Sequence, residues 1–205
     1  MTDAPQLPGF GEALSLDVLR ERVQQCTACD LYKHATQAVF GEGPADAALM
    51  LMGEVPGDQE DKQGHPFVGP AGKILDEALV DAGIDRDTVY LTNAVKHFKF
   101  EPRGKLRLHK KPSASEMLAC RQWWEAELAA VAPKVLGCLG AVAAQAVFGA
   151  SFRVTKQRAT WIELPSGVAA MATIHPSAVL RAEERRDEYY AGLVRDLEMM
   201  KARLD

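Results

Sequence analysis

The chain has 205 residues, 47% of them apolar and 25% charged, with 24 Lys and Arg against 28 Asp and Glu for a formal net charge of −4. These proportions are those of an ordinary soluble domain and exclude a collagen, a coiled coil or a disordered tail. No apolar run approaches the roughly 20 residues that a membrane span requires. The first residues, MTDAPQLPGFGEALS, carry neither a basic nor an apolar signal region. A cytoplasmic protein is expected, built as one domain over 1–205 with a flexible segment at 1–14.

Residues 16–25 form the first amphipathic stretch and predict a helix. Residues 47–53 are continuously apolar, as are 88–95, 134–140 and 168–174. Such runs suit short parallel strands covered on both faces. A helix over 70–82 opens with Pro70 and stops at Gly83, the expected asymmetry of helix ends. Ser113 and Glu116 form a capping box for a helix carrying Met117, Cys120, Trp124, Leu128 and Val131 on one stripe. Residues 141–148 make a short helix closed by Gly149, and 187–204 a C-terminal one. The order predicts an α/β fold, a single three-layer α/β/α sandwich with a central, mainly parallel sheet of about four strands. The segment 100–111 fits neither pattern and reads as a long loop. It belongs to a basic stretch: Lys96, Lys99, Arg103, Lys105, Arg107, Lys110 and Lys111 face a single acid, Glu101. An otherwise acidic chain has here a place to meet a polyanion, although most basic runs are only solvated.

Cys26 and Cys29 form a C-x2-C knuckle; Cys120 and Cys138 lie downstream with seventeen residues between them. Disulfides are not expected in a cytosolic protein. Cys120 and Cys138 suit the role of small buried hydrophobes. Four converging thiolates would instead suit zinc or an iron–sulfur cluster, and spacing does not separate these readings.

Four segments look chemical because each falls where a strand gives way to a loop, the position at which open parallel sheets hold ligands. Gly53-Glu54-Val55-Pro56-Gly57-Asp58 leads to Pro66-Phe67-Val68-Gly69-Pro70-Ala71-Gly72. Thr92-Asn93-Ala94-Val95-Lys96-His97 closes the second strand. Lys105-Leu106-Arg107-Leu108-His109 lies in the basic loop, and His175-Pro176-Ser177 follows the last strand with Arg181 beyond. Each has a bland reading as a turn or a cap; two His, two acids and an Asn at successive strand ends are harder to dismiss together.

GEVPGDQED, PFVGPAG, TNAVKHFKF and HPSAVLR together resemble the uracil-DNA glycosylase superfamily. The four-cysteine arrangement is similar to its iron–sulfur, family-four branch, and TNAVKHFKF with the basic loop ending in histidine is similar to the UdgX-type subgroup. The resemblance implies a structural 4Fe-4S cluster on Cys26, Cys29, Cys120 and Cys138. It implies a substrate of uracil-containing DNA, single-stranded or with the uracil flipped out, a nucleoid-associated location, and a monomer. Phe67 would stack on uracil, Asn93 read its O4 and N3 edge, and His175, with backbone amides around Gly53 and Val55, stabilise the departing anion. Glu54 and Asp58 would stabilise the sugar cation or position the attacking group. Lys96, Lys105, Arg107, Lys110 and Arg181 would neutralise phosphates. His109 matches the subgroup's nucleophile, which bonds to the sugar C1′ and stays there; Arg107, Lys110 and Lys111 would keep it neutral.

Two positions depart from the subgroup: Val55 stands where Gln is usual, and the loop reads Lys-Leu-Arg-Leu-His in place of Lys-Arg-Arg-Ile-His. A turnover glycosylase, a non-catalytic lesion-sensing module and a zinc-stabilised nucleic-acid binder are the alternatives.

Overall fold

The structure is a computed structural model describing residues 14–204. All but the last residue of the expected N-terminal segment 1–14 lies outside the described residues. The elements in chain order begin with α1 (Leu16–Val23), β1 (Leu49–Gly53), α2 (Asp58–Gln63) and α3 (Pro70–Asp81). Then come β2 (Val89–Asn93), β3 (Phe100–Arg103), β4 (Leu106–His109) and α4 (Ala114–Val131). β5 (Val135–Leu139), α5 (Gly140–Phe148), α6 (Val154–Gln157) and β6 (Ile162–Glu163) follow, and β7 (Ala169–Thr173), α7 (Pro176–Arg181) and α8 (Arg186–Ala202) complete the chain.

The sheet runs β2-β1-β5-β7-β6, the first four strands parallel and β6 a short antiparallel edge. Successive strand side chains point to opposite faces, so Leu49 and Leu51 join the core against α3 and α8 while Met50 and Met52 join the one against α4 and α5. Both faces are covered, which is why the strands are mainly apolar, with polar residues only toward their C-terminal ends. The expected three layers and four parallel strands are present, each strand trimmed by one or two residues at its ends. A third, smaller core joins α1 to α4 through Leu19, Val23, Leu31 and Trp123.

The capping box forms as expected: Ser113 Oγ accepts from Glu116 N at 3.2 Å, and Glu116 Oε2 accepts from Ser113 N at 2.6 Å. Segment 100–111 is not a loop. β3 and β4 pair as an antiparallel hairpin, with Phe100 opposite His109 and Arg103 opposite Leu106. Gly104, at φ +61°, opens the two-residue turn as the first position of a type II′ turn demands. Residues 58–63 form a helix, its first turn carrying Asp58, Glu60 and Asp61 where the helix dipole favours acids.

Lys96 departs from its expected role. Its side chain is fully buried, so it is no phosphate ligand. Its ammonium donates to Glu127 Oε2 at 2.5 Å, Thr92 Oγ1 at 2.6 Å and the Asn93 carbonyl at 2.9 Å, using all three of its protons. Glu127, also fully buried, accepts further from Gly41 N at 2.8 Å and Thr92 Oγ1 at 2.8 Å. Glu127→Ala strands a buried ammonium and is expected to cost about 3–5 kcal/mol; urea denaturation should read that loss, with a smaller one for Glu127→Gln.

Candidate active site

A cleft of about 710 Å³ opens at the C-terminal ends of the strands. Glu54 and Val55 reach it from just after β1, Asn93 from the end of β2, His175 from two residues after β7 and His109 from the end of β4. Phe67 enters from the loop between α2 and α3. Gly53 is required here: a Cβ at this position would lie 2.4 Å from Asn93 Oδ1 and 2.7 Å from the Phe67 ring. Phe67 itself holds φ +57°, a conformation unfavourable for a bulky residue. Gly72 packs on the Phe67 backbone so closely that a Cβ would meet its carbonyl oxygen at 1.8 Å. Gly53 thus packs on the Phe67 ring and Gly72 on its backbone.

Glu60 was not singled out in the sequence. It is buried, and its carboxylate bridges the two glycine-rich segments, accepting from Gly57 N at 3.1 Å and from Gly69 N at 2.8 Å. The signal available was its place three residues after the Gly57 cap, where a Glu reaches back to the cap amide.

Burial sets the protonation of the cleft. His175 is pushed down to about 4 by desolvation, aided by Arg181 and His109. Ser177 N–H, at 3.1 Å, and Ser177 Oγ, at 2.8 Å, both bond its Nδ1. An acceptor at Nδ1 leaves the neutral ring's proton on Nε2. His109 is also lowered, by desolvation and then by Arg181, with Glu60 opposing. The residue is exposed and lines the cleft. Arg107, Lys110 and Lys111, expected to keep it neutral, are not what does so. Glu54 is raised by burial, and Lys111 and Arg181 pull it back.

The basic residues divide by task. Lys105 at the hairpin turn, Lys111 and Arg181 are exposed, and Lys110 pairs with Glu101 at 2.5 Å on the surface. Arg107 is not a phosphate contact: its Nε donates to Asp58 Oδ1 and its Nη1 to Asp61 Oδ2, each at 2.6 Å. Its guanidinium also lies 5.2 Å from the Phe98 ring centroid and 5.1 Å from that of Phe100. It fastens the hairpin to α2. Asp58 lines the cleft, but Lys62 and Arg107 occupy both of its oxygens. It positions the hairpin, and a direct role at a sugar cation does not fit.

Of the four cysteines, three converge. The Cys29 and Cys120 thiols hydrogen-bond each other, drawing Cys29 down to about 7 and pushing Cys120 up. Trp123 Nε1 donates to Cys26 Sγ at 3.2 Å, and Lys96 N to Cys120 Sγ at 3.5 Å. Cys138 does not join them. It sits within β5, hydrogen-bonded between β1 and β7, and packs in a different core with Met52 and Leu136. Among the described residues no three His, Cys, Asp or Glu side chains are arranged to hold a single metal ion. For an implied iron–sulfur cluster, three of the expected thiols fit and the fourth does not.

A parallel sheet that gathers its polar groups at the strand ends beside the point where the strand order reverses defines a ligand-binding α/β domain. The comparisons narrow this class. The family model described as the Uracil DNA glycosylase superfamily matches residues 40–198. The chain is 37% identical to a Type-4 uracil-DNA glycosylase of Thermotoga maritima over 91% of this chain and 93% of the relative. It is 35% identical to a Type-4 uracil-DNA glycosylase of Archaeoglobus fulgidus, over 85% and 88%. A Type-5 uracil-DNA glycosylase of Thermus thermophilus is 30% identical over 68% of each chain. The chain belongs to the uracil-DNA glycosylase superfamily.

The His175 shift predicts a pH dependence. The unfolded chain takes up this proton near the ordinary value of 6.5, the folded protein only near 4. The contribution is therefore absent as a penalty above pH 6.5 and destabilises the fold progressively between about pH 6.5 and 4. Urea midpoints across that window should fall less steeply for His175→Gln.

Proposed function

We propose that the protein excises uracil from DNA and then remains bonded to the sugar through His109. The observation carrying this reading is that a neutral histidine from the hairpin shares one cleft with Phe67, Asn93 and His175. Uracil within a duplex is inaccessible, so the cleft receives it from a single strand or after flipping. Phe67 stacks on the ring. The Asn93 carboxamide donates to O4 and accepts from N3–H, a pattern that cytosine reverses, and a buried amide left unpaired is a strong filter.

Breaking the C1′–N1 bond sends its electron pair onto uracil and leaves cationic character on the sugar. His175 Nε2–H meets the charge that develops at uracil O2, and being already neutral it needs no proton rearrangement to do so. Glu54 faces the sugar cation. The lone pair of the neutral His109 ring then forms the bond to C1′, the imidazolium so formed loses its remaining N–H proton to Glu54 or solvent, and uracil is protonated by water. Among the described residues the reaction assigns no second nucleophile to release the sugar, so one protein molecule is consumed per uracil.

Lys105, Lys111 and Arg181 meet phosphates around the cleft mouth. A 4Fe-4S cluster bound at Cys26, Cys29 and Cys120 would supply a structural tie between α4 and the segment after α1, with no part in the bond-breaking step. The competing reading, release of a free abasic site, draws on the likeness to the Type-4 enzymes and on Val55.

Protein mixed with a labelled uracil-containing oligonucleotide and run on a denaturing SDS gel distinguishes these. A heat-stable shifted band, absent for His109→Ser, is expected. Unshifted DNA cleaved at the uracil position only by alkali replaces covalent capture with turnover, and intact DNA under both treatments removes the glycosylase reading. Separately, Lys105→Ala should weaken DNA binding regardless of sequence and lower the slope of log K against log salt by about one, read by fluorescence anisotropy.

A further inference from the structure

We propose that Asp196 on α8 is a positioning residue for His175, acting through Thr173 and Ile174, the two residues that precede the histidine. This rests on the part given to His175 under the proposed function. Asp196 is 1% exposed and Thr173 is fully buried, and neither lines the cleft. Thr173 Oγ1, at the end of β7, donates to Asp196 Oδ2 at 2.5 Å, and Arg158 Nη2 donates to Asp196 Oδ1 at 3.3 Å. Burial raises the Asp196 carboxyl, while Thr173, Arg158 and Arg195 pull it back. A carboxylate taken this far out of water is tolerated only when it is paired. Its bonds are also directional, which apolar packing against the same strand end would not be.

The same face of α8 reaches the next residue. Gly192 precedes Asp196 by one helical turn and shares its face. A Cβ on Gly192 would come within 2.8 Å of Arg158 Nη1 and 2.9 Å of Ile174 Cδ1, so the missing side chain lets both lie against the helix. Arg158 is also fixed from the strand side, because the following residue, Ala159, donates its N–H to the Ala172 carbonyl at 3.0 Å. Residues 172–174 are thus held by α8 and by the segment after α6. Across from them Gly140 opens α5 at φ +87°, and a Cβ there would lie 2.7 Å from His175 Cβ. Ser177 takes Nδ1 and so sets which ring nitrogen carries the proton. The α8 face sets where that nitrogen stands. A donor that must meet charge developing at one atom loses much of its effect when displaced by about 1 Å.

Uracil release from a labelled single-stranded oligonucleotide, followed with the full-length protein in excess, gives a rate constant at saturation and a half-saturating protein concentration. Asp196→Asn should slow release at saturation about tenfold and leave the half-saturating concentration within about twofold of wild type. Thr173→Val keeps the shape, removes one hydrogen bond and should slow release by a smaller factor; it carries the test if circular dichroism shows that Asp196→Asn does not fold. The deciding comparison is made in a His175→Gln background, where neither substitution should slow release further, because both act through the histidine. Equal slowing in the two backgrounds, or wild-type rates for both variants, overturns the proposal and leaves the part of His175 standing. A His175→Gln protein that releases uracil at the wild-type rate overturns that part and this proposal together. A wild-type protein that releases no uracil removes the glycosylase reading on which both depend.

Discussion

The buried ion pair of Lys96 and Glu127 ties the molecule's chemical parts to its scaffold. Charges taken out of water are tolerated only when paired and fully hydrogen-bonded, and here three donors and two carboxylate oxygens all find partners. The pair welds α4 to the end of β2. Through its side chain Lys96 holds the Asn93 carbonyl at the cleft floor; through its backbone N–H it bonds Cys120. One residue thus sets the relative position of the cleft and the cysteine site.

The rest of the cleft is braced by partly buried charges more than by apolar packing. The hairpin β3–β4 has little core of its own, and Leu106 and Leu108 are exposed. It is held by Arg107, whose guanidinium meets two carboxylates of α2 and two phenylalanine rings. Charge-assisted bonds of this geometry are directional, so they orient His109 as well as retain it. Glu60 performs the matching task for the backbone, joining Gly57 to Gly69 and so keeping the Glu54 and Phe67 segments in register. Four acids of one short region, 54–61, therefore do different work: Glu54 faces the cleft, while Asp58, Glu60 and Asp61 position what surrounds it.

Much of this was legible in the linear pattern. Continuous apolar runs identify the four parallel strands because both sheet faces are covered, and the capping box at Ser113 forms because its signature is local. The convergence of Gly53, Asn93 and His175 follows from their positions at or just beyond strand ends, whereas Phe67 comes from the loop between α2 and α3 and His109 from the hairpin. What misled was charge read as exposure. Lys96 and Arg107 lie in a basic stretch and look like phosphate ligands, yet both are spent internally, because their carboxylate partners are 31 to 49 residues away in the chain. The hairpin and α2 were missed for the opposite reason: both are short, and each hides behind polar residues that periodicity does not see.

The amino-acid order by itself determined the layers, the strand-end location of the cleft and the residue types gathered in it, since each follows from local periodicity and from the rule that parallel sheets bind ligands where their strands end. Only the tertiary structure decided which charges are free and which thiols meet. Burial and partnership depend on chain segments brought together across the fold, and a cysteine in the middle of a strand looks the same in sequence as one turned toward a shared site. Cys138 parts from the other three cysteines for that reason: the sheet holds it among apolar side chains, while α1, α4 and the segment between α1 and β1 bring Cys26, Cys29 and Cys120 into one small core.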